Sequence, residues 1–161
     1  MDKGKSVIFL IVWFLWAAGQ DLDSIVRYSI KSDFYVFSSH NMAPVFFVFA
    51  VLIFILNLTT VYYLFKPSFL GFKVALSALG VAVIQNIVLL LLALNDIPGV
   101  REAYSKGREI RGLPIREEAM DMIFTPSALY ASMGIMLLLY VLVGFFIIRN
   151  KEYFYGPIIK A

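Results

Sequence analysis

The chain has 161 residues, 61% of them hydrophobic and only 16% charged, with a formal charge of +3. Soluble domains carry about 25% charged residues, so this composition excludes an ordinary water-soluble globule, and so small a charge, divided among loops, gives no basis for nucleic-acid binding. Cysteine is absent and His40 is the only histidine, which rules out disulfides, thiolate metal sites and bis-histidine haem ligation within one chain; no residue pattern asks for a cofactor or a metal.

The first predicted membrane span covers residues 6–28. Its apolar part, Val7 to Gly19, is shorter than the ~20 residues a crossing needs. The helix is therefore expected to continue through "QDLDSIVRYSI", with Asp21 and Asp23 emerging at the far interface. A cleavable signal is the alternative for this stretch, given the basic "MDKGK", the apolar run and the small residues of "AAGQ". Trp13 and Trp16 suit a retained helix better, and both readings place residue 30 on the same side.

The second span, 44–65, ends in Tyr62, Tyr63 and Phe65, as an aromatic belt would. Pro67 and Gly71 in the link "FKPSFLGFK" are expected to make a tight turn. The third span, 74–94, is closed by "NDIPG". A long connection, 95–124, follows. Glu102 and Lys106 stand there at i,i+4 in the order that favours a helix. After Gly112, "PIREEAMDMIF" places Ile115, Ala119, Met122 and Ile123 on one helical face and Arg116, Glu117, Glu118 and Asp121 on the rest. That pattern predicts a short amphipathic helix on the outer membrane surface. Thr125 is a predicted N-cap and Pro126 the first helical residue of the last span, 126–148; Tyr153, Phe154 and Tyr155 follow it as a second aromatic belt.

Basic residues are dense in three short segments: Lys3 and Lys5; Lys66 and Lys73; and Arg149, Lys151 and Lys160. Acids are nearly absent from these segments, Asp2 and Glu152 apart. Loops 21–42 and 95–124 hold as many basic residues, but over more chain and outnumbered by acids. The density favours both termini and the 66–73 link inside. The expected fold is all-α: a single domain, 1–161, forming an antiparallel bundle of four transmembrane helices in the cytoplasmic membrane, with a short amphipathic helical segment in the outer 3–4 loop.

Polar residues within the spans are the candidate functional residues. Counting ~1.5 Å per residue from the basic anchors puts Asn57 and Tyr140 roughly 13 Å deep, Gln85 and Asn86 about 18 to 20 Å, and Gln20 near 22 Å. An unpartnered amide in hydrocarbon costs several kcal/mol. These five residues are therefore expected to form a polar network that fixes helix register, or to line a polar pocket. Ala78 and Ala82, Ser127 and Ala131, and Ala128 and Ser132 have the small-xxx-small spacing of close helix contacts.

No charge is expected at membrane depth. The small four-helix multidrug carriers depend on a membrane-embedded carboxylate, and with Asp21 at the interface the first helix would offer none. Four helices, inside termini and this length also describe the lipoprotein signal peptidases, which cleave with two aspartates near the outer ends of their last helices. Asp96 and Asp121 occupy loosely comparable places, but "ALNDIPG" and "EAMDMIF" lack that family's motifs. The sequence thus points to a non-enzymatic accessory or lipid-binding membrane protein. Its expected partners are membrane lipids, with another membrane protein or a second copy of the chain as further candidates. An intramembrane hydrolase using Asp96 and Asp121, or a small transporter or channel subunit, are the alternatives.

Overall fold

The computed structural model of the chain describes residues 3–155. Asp2, Lys160 and the side chain of Lys3, which contribute to the charge asymmetry, lie outside the described residues. In chain order the elements are α1 (Lys3–Val26), a 3-10 turn (Tyr28–Ile30), α2 (Ser32–Ser39), α3 (Ala43–Phe65), α4 (Phe69–Asn95), α5 (Ile97–Ile110), α6 (Glu117–Ile123), α7 (Pro126–Arg149) and α8 (Lys151–Phe154). The described residues contain no strand. Helices α1, α3, α4 and α7 are long and apolar enough to cross a membrane. Such helices satisfy their backbone groups internally, as hydrocarbon requires.

Helix α1 lies along α3, α3 along α4 and α4 along α7. The main core gathers at the end that carries the 66–68 link and α8. Val7, Leu10 and Phe14 of α1 meet there with Val61 and Leu64 of α3, Ala75, Ala78 and Leu79 of α4, Val143 and Ile147 of α7, and Phe154. Lipid tails are as apolar as these side chains, so association rests on close packing and hydrogen bonds and not on the hydrophobic effect. Two hydrogen bonds tighten this end: Ser6 Oγ donates to Asn150 Oδ1 at 2.9 Å, and Tyr153 Oη donates to the Leu64 carbonyl at 2.6 Å. Phe154 is fully buried and Phe69 stacks on Tyr155. The aromatic groups expected as an interfacial belt therefore serve partly as packing. Helix α1 supplies the buried side chains Leu10, Phe14 and Ala18, so removing residues 1–19 as a signal would strip one wall from the core.

Gly71 corrects the expected turn. The link is confined to residues 66–68, Ser68 caps α4 by accepting from Leu70 N, and Gly71 lies within α4's first turns. Its role is steric. A Cβ there would stand 2.3 Å from Tyr63 Cβ and 2.8 Å from Tyr63 Cγ, so the missing side chain is what lets α3 and α4 approach.

At the opposite end a second cluster joins Val36 of α2, Ala93 of α4 and Val100 and Ala103 of α5. Helix α2, absent from the sequence reading, buries Val36 and Phe37. Asp96 ends α4 and caps α5, accepting from Gly99 N at 2.9 Å. Gly107 lets α5 close on the 3-10 turn, since a Cβ would lie 3.3 Å from the Ile30 carbonyl oxygen. Glu102 and Lys106 form no ion pair; Lys106 Nζ sits 5.2 Å from the Tyr35 ring centroid. Arg101 fastens α6 to α5 by pairing with both Glu117 and Asp121. Met120 is the buried residue of α6, while Ile115, Met122 and Ile123 stay exposed. On α7, Thr125 Oγ1 accepts from Ala128 N at 3.2 Å, the expected N-cap.

Gly71→Ala should lower thermal stability by roughly 1–3 kcal/mol through overpacking. Gly80→Ala, where a Cβ meets nothing within 4 Å, should be neutral or slightly stabilising. Thermal unfolding in detergent compares the two.

Candidate functional site

Positions 13, 16, 17, 20 and 21 recur at the spacing of one helical face. In α1 they are Trp13, Trp16, Ala17, Gln20 and Asp21, and together they form one wall of a cavity of about 260 Å³. Helix α3 contributes Ile53 and Asn57, one turn apart; α4 contributes Ala78, Leu79 and Ala82; α7 contributes Met136, Leu139 and Tyr140. The small Ala78 and Ala82 are what leave room opposite the indoles. The two indole rings lie 5.8 Å apart, centroid to centroid, with 53° between their planes.

The polar focus of the cavity is a pair the sequence reading did not join. Asn57, only 4% exposed, donates from Nδ2 to Asp21 Oδ2 at 2.8 Å. Asp21 thus sits within one candidate span, α1, beside the interior of another, α3, where the sequence leads one to expect no charge. The depth count failed because it treats all helices as upright and anchored in one plane. Asp21 lies roughly 24 Å along α1 from Lys5, and Asn57 roughly 13 Å along α3 from Lys66, yet their side chains touch. Among the described residues no lysine or arginine pairs with Asp21, and its Oδ1 accepts no hydrogen bond.

The remaining candidates separate. Asn86 Nδ2 donates to Tyr140 Oη at 3.1 Å and to the Ala82 carbonyl at 2.8 Å, tying α4 to α7. Gln20 lines the cavity. The side chain of Gln85, next to Asn86 but about 100° around the helix, makes no hydrogen bond among the described residues. The expected single network is therefore two pairs, Asp21–Asn57 and Asn86–Tyr140, with the side chains of Gln20 and Gln85 outside both. Asn86 also borders a second cavity, about 190 Å³, lined in addition by Ser32, Asp33, Tyr104 and Met136. Met136 faces both spaces, so the Asn86–Tyr140 bond stands between them.

Asp96 and Asp121 are not brought together. Asp96 is occupied as the cap of α5 and Asp121 by Arg101. Ala78 and Ala82 are buried as close-packing residues, whereas Ser127, Ala131 and Ser132 are exposed on α7. Compared with protein-family models, curated proteins and solved structures, the chain matches none.

Interhelical hydrogen bonds within membranes contribute roughly 0.6–2 kcal/mol. Asn86→Leu should lower the unfolding temperature accordingly, since it unpairs the Tyr140 hydroxyl. Gln85→Leu should leave stability within about 0.5 kcal/mol. Equal losses for the two variants would show that the amides act as one network.

Proposed function

We propose that the chain is a multi-pass protein of the cytoplasmic membrane, an antiparallel bundle of four transmembrane helices with both termini inside, which holds a lipid or another small amphipathic molecule and catalyses no reaction. The observation that carries this reading is the cavity among α1, α3, α4 and α7. It combines apolar walls with a few convergent polar groups, the usual make-up of a ligand site, and it lies at the depth where an ionisable residue marks function more often than structure. The density of basic residues around the 66–68 link supports the orientation. The exposed Ile115, Met122 and Ile123 suit a loop helix resting on the outer membrane surface.

A small carrier is the second reading. Asp21 supports it, as a carboxylate within the candidate span α1 that lines the cavity. The aspartyl-hydrolase reading draws no comparable support, since Asp96 and Asp121 each have a structural partner.

Two measurements test the proposal. Native mass spectrometry from mild detergent should show a retained lipid or amphiphile on the wild-type protein that Ala82→Leu, which fills the cavity, displaces. A chain free of adducts in the wild type would contradict the binding role. Because the sequence has no cysteine, single-cysteine variants report topology cleanly. Glu109→Cys should react with a membrane-impermeant maleimide on intact cells, and Lys66→Cys only after lysis; the reverse pattern would overturn the orientation.

A further inference from the structure

Resting on the cavity reading above, we propose that the preferred occupant is a small lipophilic cation, an organic ammonium with an apolar body, held by the Asp21 carboxylate and the faces of Trp13 and Trp16. Three features select this chemistry.

The first is the unbalanced charge. Asp21 receives one hydrogen bond, from Asn57, and no cationic side chain among the described residues. A carboxylate drawn out of water is strongly destabilised unless a counter-charge accompanies it. The bound ligand is the natural source of that charge, and Oδ1 remains open to receive it.

The second is the aromatic wall. Indole offers the strongest cation–π surface of any side chain, and both tryptophans of the chain line this one cavity. Tyr140 of α7 adds a phenol ring to the lining. An anionic head group finds no basic residue here. A divalent metal ion lacks ligands, since no three histidine, cysteine, aspartate or glutamate side chains cluster among the described residues.

The third is access. Helices α1 and α7 are joined at Ser6–Asn150 and Phe9–Phe146. Further along α1, Trp16 is 59% exposed at the cavity's rim. The mouth therefore gives on to the hydrocarbon beside the protein, which an ammonium reaches only when it carries an apolar body. A volume near 260 Å³ suits a ligand smaller than most drugs, whose sites span about 300–1,000 Å³.

Trp13 and Trp16 make the test intrinsic, because all tryptophan fluorescence comes from this wall. The full chain in lipid nanodiscs is titrated with benzyltrimethylammonium and, at matched mole fraction in the lipid, with its uncharged carbon isostere neopentylbenzene. The wild type should show a saturable fluorescence change with the ammonium at concentrations roughly tenfold or more below those needed for the isostere. Asp21→Asn, close in shape and still able to bond Asn57, should abolish that preference. The wild-type comparison stands without the variant if the variant fails to fold. Equal responses to both probes in the wild type would overturn the cation assignment while leaving a neutral-ligand cavity. A preference that survives in Asp21→Asn would overturn it too, by placing charge recognition elsewhere. No saturable response to either probe would overturn both this inference and the cavity reading beneath it.

Discussion

A polar side chain in apolar surroundings must find a partner, and the meeting of Asn57 with Asp21 is how this chain meets that demand. Neither group is tolerable alone in hydrocarbon: the amide would lose its hydrogen bonds and the carboxylate its solvation. Their bond sets which face of α1 turns toward α3 and at what height. Once that face is set, Trp13, Trp16 and Gln20 follow, because they share it at helical spacing. On the other side of α3, the missing side chain of Gly71 admits Tyr63 and draws α4 close. Helix α3 is thereby held on both flanks, by a hydrogen bond to one neighbour and by steric fit to the other.

The cavity follows from the same arrangement. Where α3 meets α4, the alanines at 78 and 82 are too small to fill the space facing the indoles. Helix α7 is fixed to α4 through Asn86 and Tyr140 and to α1 near Ser6, so it borders the space without closing it. At the loop end, ionic groups have structural duties: Asp96 caps α5 and Arg101 ties down α6. Asp23 pairs with Lys31 and Arg27. Asp21 lies away from these groups, on the cavity among the long helices, with Asn57 as its hydrogen-bond donor.

The long apolar helices were legible in the sequence because composition and length alone define them. So was the start of α7, where Thr125 and Pro126 carry a local signal that needs no tertiary context. Helix α2 escaped notice because its eight residues lack a capping side chain and bury two adjacent positions, Val36 and Phe37, in place of a periodic stripe. Gly71 differs from the expected turn for a related reason: a glycine four residues after a proline looks the same in sequence whether it makes a turn or a close contact. Among the candidate residues picked out by residue type and approximate depth, Asn57, Asn86 and Tyr140 join in hydrogen bonds between helices, whereas Gln20 only borders the cavity. Asp21 is hidden in the sequence because the apolar run of the first span ends at Gly19, so the carboxylate reads as leaving the span, whereas the height at which two helices meet depends on their tilt and offset. One signal was available. Positions 13, 16, 17, 20 and 21 share a helical face, and that face carries two indoles, an amide and a carboxylate. A lipid-facing stripe has no use for such a set.

The arrangement depends on direct contact between Asp21 and Asn57 inside the helical assembly. A double-mutant cycle on unfolding free energy, with Asp21→Ala, Asn57→Ala and the double variant, measures that coupling most directly. Direct contact should give a coupling energy of about 0.6–2 kcal/mol, the range of hydrogen bonds between membrane helices. Losses that simply add, within roughly 0.3–0.5 kcal/mol, would place the two side chains apart and contradict it.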